Sequence, residues 1–191
     1  MMVPEEYHDF LDVFNPETPM SHLPLSRLEY DFAIELDPTK PLPKPARPYH
    51  MNQEEREDWR KWHDMMLAAG LISRAPANTP VAAPLFFVRK KEGTRRPVID
   101  YRKLNDITIK DSFPLPRIDE MLERMQGAKV FTKFDLKMRY NQLRIRPGDE
   151  WKTTFMTPDG PFMMNVMTFG FANAPPCFQR WMSDVLAPVA H

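Results

Sequence analysis

Apolar residues recur along this chain with two different periods, and each period predicts a set of elements. Trp59, Trp62, Met66 and Ala69 fall at helical spacing. Asn52-Gln53-Glu54-Glu55, just ahead of them, has the form of a capping box, with Asn52 as N-cap and Glu55 reaching back. Gly70 ends that helix. Pro84–Val88 and Pro97–Tyr101 read as strands joined by the charged turn Lys91-Glu92-Gly93-Thr94. A second helix opens at Pro116, puts Ile118, Met121, Leu122 and Met125 on one face, and closes at Gly127. Val130–Leu136 then reads as a buried strand. Asn141–Arg146 alternates, with Leu143 and Ile145 pointing the same way. After the turn Pro147-Gly148-Asp149, the stretches Trp151–Thr157 and Phe162–Met167 flank Pro158-Asp159-Gly160. A last helix spans about Pro175–Leu186 and carries Phe178, Trp181, Met182 and Val185. Helices and antiparallel strands without βαβ repetition predict an α+β fold.

The first 50 residues follow neither period. Pro41-Leu42-Pro43-Lys44-Pro45-Ala46-Arg47-Pro48 removes amide donors and favours extended backbone. Residues 1–50 are therefore expected to form an extended Pro-rich arm or linker, and 51–191 the folded body. Within the arm, Tyr30–Leu36 reads as a short edge strand.

Composition narrows the function classes. The 191 residues are 42% hydrophobic, enough for one domain with a sizeable core. No apolar run approaches the roughly 20 residues of a membrane span, so no membrane partner is expected. Cys177 is the one cysteine, which excludes an internal disulfide or a cysteine-based zinc site and suits an intracellular setting. Charge is uneven beneath a net of zero. Residues 1–64 hold 14 acidic and 7 basic side chains, whereas residues 86–117 hold 9 basic and 4 acidic ones. A basic block in a neutral chain points to a local anionic partner, or to a solvated hairpin.

Residue chemistry alone leaves alternatives open. Asp135, at the end of Phe131-Thr132-Lys133-Phe134-Asp135-Leu136, reads either as a strand-end cap or as a metal or catalytic carboxylate. Lys90, Lys91, Arg95 and Arg96 flank one turn and could hold phosphates or merely be solvated. Phe86 and Phe87 beside them could stack on bases or pack the core. There is no Gly-x-Ser-x-Gly elbow, no Walker loop and no histidine pair at metal-ligand spacing.

Taken in order, the blocks of this chain resemble the reverse transcriptases of gypsy-class LTR retrotransposons, their fungal branch most closely. The matching segments include His22-Leu23-Pro24, Tyr30–Leu36, Ala69-Gly70-Leu71-Ile72 and Pro80-Val81-Ala82-Ala83-Pro84. Phe87–Gly93 follows, then Arg96-Pro97-Val98-Ile99-Asp100-Tyr101-Arg102-Lys103-Leu104-Asn105. Further blocks are Ile107–Lys110, Phe113–Ile118, Gly127–Leu136, Gly148–Lys152 and Phe169-Gly170-Phe171-Ala172-Asn173-Ala174-Pro175. The match runs over roughly residues 20–187.

This resemblance implies the fingers and part of the palm of a right-hand polymerase, built on a mixed, mainly antiparallel sheet with flanking helices. It implies RNA-directed DNA synthesis, with an RNA or DNA template, a primer and dNTP as partners. Asp135 and the backbone carbonyl of Leu136 match the first palm site for Mg2+, which drives two-metal nucleotidyl transfer in the complete enzyme. Lys90 and Arg96 match the residues that grip the triphosphate, and Asp100 the acidic residue just behind them. Tyr140 matches the aromatic gate against a ribose 2′-hydroxyl, and Phe169 and Gly170 the lining of the nucleotide pocket. Asn173, Pro175, Phe178 and Gln179 match the turn and helix that support the template. Phe86 and Lys91 are expected to meet nucleic acid.

Three departures and one missing motif qualify what is implied. The family's Tyr-x-Asp-Asp hairpin does not follow the last helix within this sequence, so the chain is expected to be a fragment of a Pol polyprotein. The rest of the palm, the thumb and RNase H would lie elsewhere. As a fragment it is expected to bind metal weakly and to be inactive; a catalytically dead nucleic-acid-binding module or an unselected remnant is the alternative. Arg139 stands where glycine is usual, directly before Tyr140, and would disturb a turn needing positive φ there. Phe32 stands where His is common, and Thr168 where Pro or Phe is. Retroelement particles in the cytoplasm or nucleus are the expected location.

Overall fold

The computed structural model describes residues 4–11, 20, 22–114, 117–131, 133 and 135–189. Helix α1 (Gln53–Ala68) starts where the capping box places it. The Asn52 side-chain oxygen accepts the Glu55 amide at 2.8 Å, and the Glu55 carboxylate accepts the Asn52 amide at 2.9 Å. Two of the orphan donors at the helix start are thus satisfied locally. Gly70, at φ +70°, turns the chain out of the helix into β1 (Ile72–Arg74).

Strands β2 (Ala83–Arg89) and β3 (Arg95–Ile99) form the predicted hairpin, with Phe87 opposite Pro97. β4 (Phe155–Thr157) and β5 (Gly160–Met164) form a second, tighter one. The five strands make one sheet in the order β1-β5-β4-β2-β3. Every pairing is antiparallel except β2 with β4, which run parallel through Ala83 and Phe155. The helices are α1, α2 (Arg102–Ile107), α3 (Ile118–Arg124) and α4 (Ala174–Leu186). The architecture is α+β, with a mixed, mainly antiparallel sheet and flanking helices.

One face of α1 covers this sheet. Trp59, 2% exposed, meets Phe155 and Phe162 edge-on, and its indole N–H donates to Asp159 at 2.6 Å. Side chains of this size contribute on the order of 2–3 kcal/mol each by leaving water. Leu85, Leu143, Phe155, Phe162, Val166 and Met167 complete a solvent-free centre.

The N-terminal segment contributes to this core through Phe32 and Ile34, both buried. Tyr30–Leu36 does not form the expected strand. Its ends bridge two different neighbours, Phe32 to Ile145 and Leu36 to Thr108. Between them, side chains take the peptide groups a strand neighbour would use. The Asp149 carboxylate accepts the Ile34 amide at 2.9 Å, and the Lys152 ammonium donates to the Ile34 carbonyl at 2.7 Å. Further on, the Ala46 amide donates to the Ala82 carbonyl, which ties the Pro-rich stretch to the body.

Other differences from the sequence reading share one cause, the lack of a tertiary neighbour. Val130–Leu136 carries no strand among its described residues, and Val130 and Phe131 are exposed. Strand propensity alone does not pair a strand, and no described strand lies beside this one. Thr132 and Phe134 of that stretch, and Pro116 at the expected helix start, lie outside the described residues. Helix α3 does form, yet Ile118, Met121, Leu122 and Met125 are all exposed. Leu143 and Ile145, expected on one side of an alternating strand, are both buried, although they follow a 3-10 turn, Arg139–Gln142, and join no regular strand.

Candidate functional site

The fold brings four of the residues that the family resemblance selects, and Arg95 with them, to one cleft of about 540 Å³. Lys90 and Arg96 come from the β2–β3 hairpin, Phe169 and Gly170 from the loop before α4, with Trp62 of α1 and Met138 completing the wall. The hairpin is closed by the Lys90 amide donating to Thr94 O at 2.7 Å and by Gly93 at φ +85°. Strand alternation then divides the cations. Arg95 turns to α1, where Asp58 and Glu54 accept from it at 2.6 and 2.5 Å. Arg96 is exposed and makes no ion pair among the described residues, and Lys90 has only Glu92 at 3.6 Å. The cleft mouth therefore carries surplus positive charge and suits an anion. Lys91 is exposed at the turn tip.

Gly170 sits at φ +100°, and a Cβ there would meet the Ile99 carbonyl at 3.4 Å and the Tyr101 ring at 3.5 Å. The backbone conformation favours glycine at this point, while the space would admit a methyl in ordinary van der Waals contact. Asn105, which the sequence reading did not single out, fixes this loop by donating to Gly170 O at 2.7 Å and accepting from the Ala172 amide at 2.9 Å. Its one signal in the sequence is a polar side chain directly after the buried Leu104.

Tyr140 does not line the cleft. It is 7% exposed and stands behind Phe169, with ring centroids 4.7 Å apart and edge-on packing, and it also meets Phe178 at 5.6 Å. The positive φ of this turn falls on Met138, at +48°, and not on Arg139. Arg139 is thus accommodated without the strain expected of it. Its guanidinium lies 4.7 Å above the Tyr140 ring.

The other residues are placed elsewhere. Asp100 turns into a separate small cavity that Lys44, Lys103 and Lys152 also line. Its carboxylate accepts from Arg102 Nη2 at 2.6 Å and Nε at 2.8 Å, and these bonds hold it below the usual carboxylate range. Asn173 is buried and tethers a neighbouring segment, donating to Ile109 O at 2.7 Å and accepting the Asp111 amide at 3.1 Å. Pro175 is exposed in the first turn of α4. Gln179 reaches Ser183 at 3.4 Å, while half-buried Phe178 packs on Trp181. Phe86 meets Tyr49 edge-on, and Phe87 packs against the core. Asp135 and Leu136 are exposed on irregular backbone. Among the described residues no three His, Cys, Asp or Glu side chains gather as metal ligands, and no helix is long and apolar enough to cross a membrane.

A family model described as reverse transcriptase (RNA-dependent DNA polymerase) matches residues 88–191. The chain is 36% identical to the Transposon Tf2-3 and Tf2-7 polyproteins of Schizosaccharomyces pombe, over 96% and 98% of its own length. It spans only 14% of the length of those relatives. Among solved structures, it is similar to the Prototype Foamy Virus protease-reverse transcriptase CSH mutant, with a TM-score of 0.76 at 20% identity, covering 100% of this chain and 26% of that one. The foamy viral protease-reverse transcriptase in complex with RNA/DNA hybrid gives a TM-score of 0.67 at 21% identity, covering 83% and 21%. That enzyme's dRH form in complex with ds DNA gives 0.68 at 18%, covering 99% and 33%. These likenesses are of fold: the mixed sheet with its flanking helices is shared with reverse transcriptase polymerase domains.

Proposed function

The chain belongs to the reverse transcriptase (RNA-dependent DNA polymerase) family, and on that premise we propose that it is the nucleotide-gripping part of a polymerase within a gypsy-class retrotransposon Pol polyprotein. The observation that carries this reading is the cleft in which Lys90 and Arg96 face Phe169 and Gly170. Two cations on a hairpin rim suit a triphosphate, and an aromatic beside a close-packed glycine suits a flat base and its sugar. Tyr140, one layer behind Phe169, would limit room on the sugar side. Asp100 acts through Arg102 and the hairpin base, outside the cleft itself.

The foamy viral neighbours were solved with an RNA/DNA hybrid and with ds DNA, and we take an RNA or DNA template with its primer as the partner here. Phe86 and Lys91 on the hairpin, with Pro175, Phe178 and Gln179 on α4, would meet that strand, and Asn173 would hold their platform. The reaction in the complete protein is template-directed dNTP transfer. Asp135 and the Leu136 carbonyl would bring one carboxylate and one carbonyl to its Mg2+ site. The described residues do not by themselves fit a two-metal centre. The remaining ligands would come from other Pol segments, with the rest of the palm, the thumb and RNase H. In this reading the chain alone binds nucleotide or nucleic acid without turnover, and it works with retroelement particles in the cytoplasm or nucleus.

Trp62 in the cleft wall provides a test. Titrating dATP while following tryptophan fluorescence should give saturable quenching. Lys90→Ala with Arg96→Ala should weaken it at least tenfold, since charge-assisted contacts contribute roughly 1.5–3 kcal/mol each. Equal affinity in the wild type and the double variant would remove this assignment of the cleft.

A further inference from the structure

Arg139 has no carboxylate partner among the described residues, although it is an exposed cation beside a cleft. Its partners are rings. The guanidinium carbon lies 4.7 Å from the Tyr140 centroid, 5.9 Å from Phe178 and 6.0 Å from Phe169, and Nη2 comes within 3.3 Å of the Tyr140 hydroxyl. Phe169 itself lines the cleft, whereas Tyr140 and Phe178 lie behind it. A planar, weakly hydrated cation can cover an aromatic face in a way that an ammonium cannot. The cluster is anchored at its far end too. Phe178 packs on Trp181, and Arg27 lies 5.0 Å over Trp181 while donating to Gln142 O at 2.8 Å.

Resting on the nucleotide-cleft reading above, we propose that Arg139 is a positioning residue: it pins the Tyr140 ring against Phe169 and so sets the room the cleft leaves at the sugar of a bound nucleoside triphosphate. Tyr140 is nearly buried, and its ring is held by Phe169, Phe178 and this guanidinium. Without it the ring gains freedom, and Phe169, 62% exposed, loses its backing. The charge of Arg139 is spent on ring faces, so its effect should fall on the discrimination between deoxy and ribo nucleotides more than on triphosphate affinity.

The test compares the whole chain with Arg139→Lys, which keeps the charge but not the flat face, and with Arg139→Ala. Affinities for dATP and ATP are read by Trp62 fluorescence. In parallel, 19F NMR follows Tyr140 in 3-fluorotyrosine-labelled protein, with its line assigned by Tyr140→Phe. Both variants should reduce the dATP-over-ATP preference about fivefold, the scale of one such cation-on-ring contact, with less change in dATP affinity. Both should shift and narrow the Tyr140 fluorine line. An unchanged preference, or a parallel loss for dATP and ATP as from a direct phosphate contact, would overturn the proposal, and so would an unmoved fluorine line. Should the wild type bind neither nucleotide, the cleft reading falls, and the fluorine line still decides whether Arg139 fixes the ring.

Discussion

Arg95 donates its Nε to the carboxylate of Asp58 at 2.6 Å, and through this contact the β2–β3 hairpin is tied to α1. Glu54 accepts from the same guanidinium, so two carboxylates one helical turn apart hold one cation. The contact fixes where the neighbouring Arg96 and the nearby Lys90 stand. Arg95→Ala should speed amide hydrogen exchange at Lys90, Gly93 and along β3, while leaving β5 protected. Uniform protection in the variant would mean that strand pairing alone holds the hairpin.

Ile34 is 1% exposed, although it belongs to the Pro-rich N-terminal stretch. Ile34→Ala should cost about 2–4 kcal/mol in urea unfolding, as for any core isoleucine. Leu25→Ala, at a position 82% exposed, should stay within about 0.5 kcal/mol. Equal effects of the two would show that the segment adds nothing to the cooperative core.

Gly170→Ala places a Cβ on a backbone at φ +100°, which L side chains rarely adopt, although its approaches to Ile99 and Tyr101 would be ordinary contacts. A destabilisation of about 1–3 kcal/mol is expected, together with weaker dATP quenching, because the loop must leave its positive-φ conformation to relieve the strain. Thermal melting and the titration check the two halves separately.

Burial raises the Cys177 thiol from 9.0 to about 11. The folded state therefore holds this proton more tightly than the unfolded one. The stabilisation is fully present below pH 9 and is lost as the pH rises from 9 through 11. The wild type should lose stability across that window more steeply than Cys177→Ala, by up to about 2–3 kcal/mol. Below pH 8, Cys177 should react with a thiol reagent only on unfolding. Identical slopes in the two proteins would contradict the burial argument.

Where a signal was local, the sequence was sufficient. The Asn52–Glu55 box, the charged turn at Gly93 and the span of α4 each depend on residues a few positions apart, and each is found where the pattern puts it. Val130 and Phe131 have strand propensity, but a strand needs a neighbour that no local pattern supplies. Helix α2 escaped notice because six residues carry too little periodicity, and contacts such as Asn105 with the Gly170 loop hold it in place. The cleft itself was legible as an ordered series of blocks. Two placements were not. Asp100 is turned aside by Arg102, two residues on, and Tyr140 is drawn behind Phe169 by rings and a guanidinium that meet only in three dimensions.

The sheet order has a consequence for the chain as it leaves the ribosome. Ile72 of β1 faces Met164, and Ala83 of β2 runs beside Phe155, so both strands emerge long before their partners exist. Until β4 and β5 are made, the β2–β3 hairpin is the one pairing of this sheet that can close. Apolar edges then wait in the open until β4 and β5 arrive, the interval in which nascent chains most readily bind chaperones or one another. Slowing translation after Ile99 would lengthen that interval, and slowing it after Met167 would not.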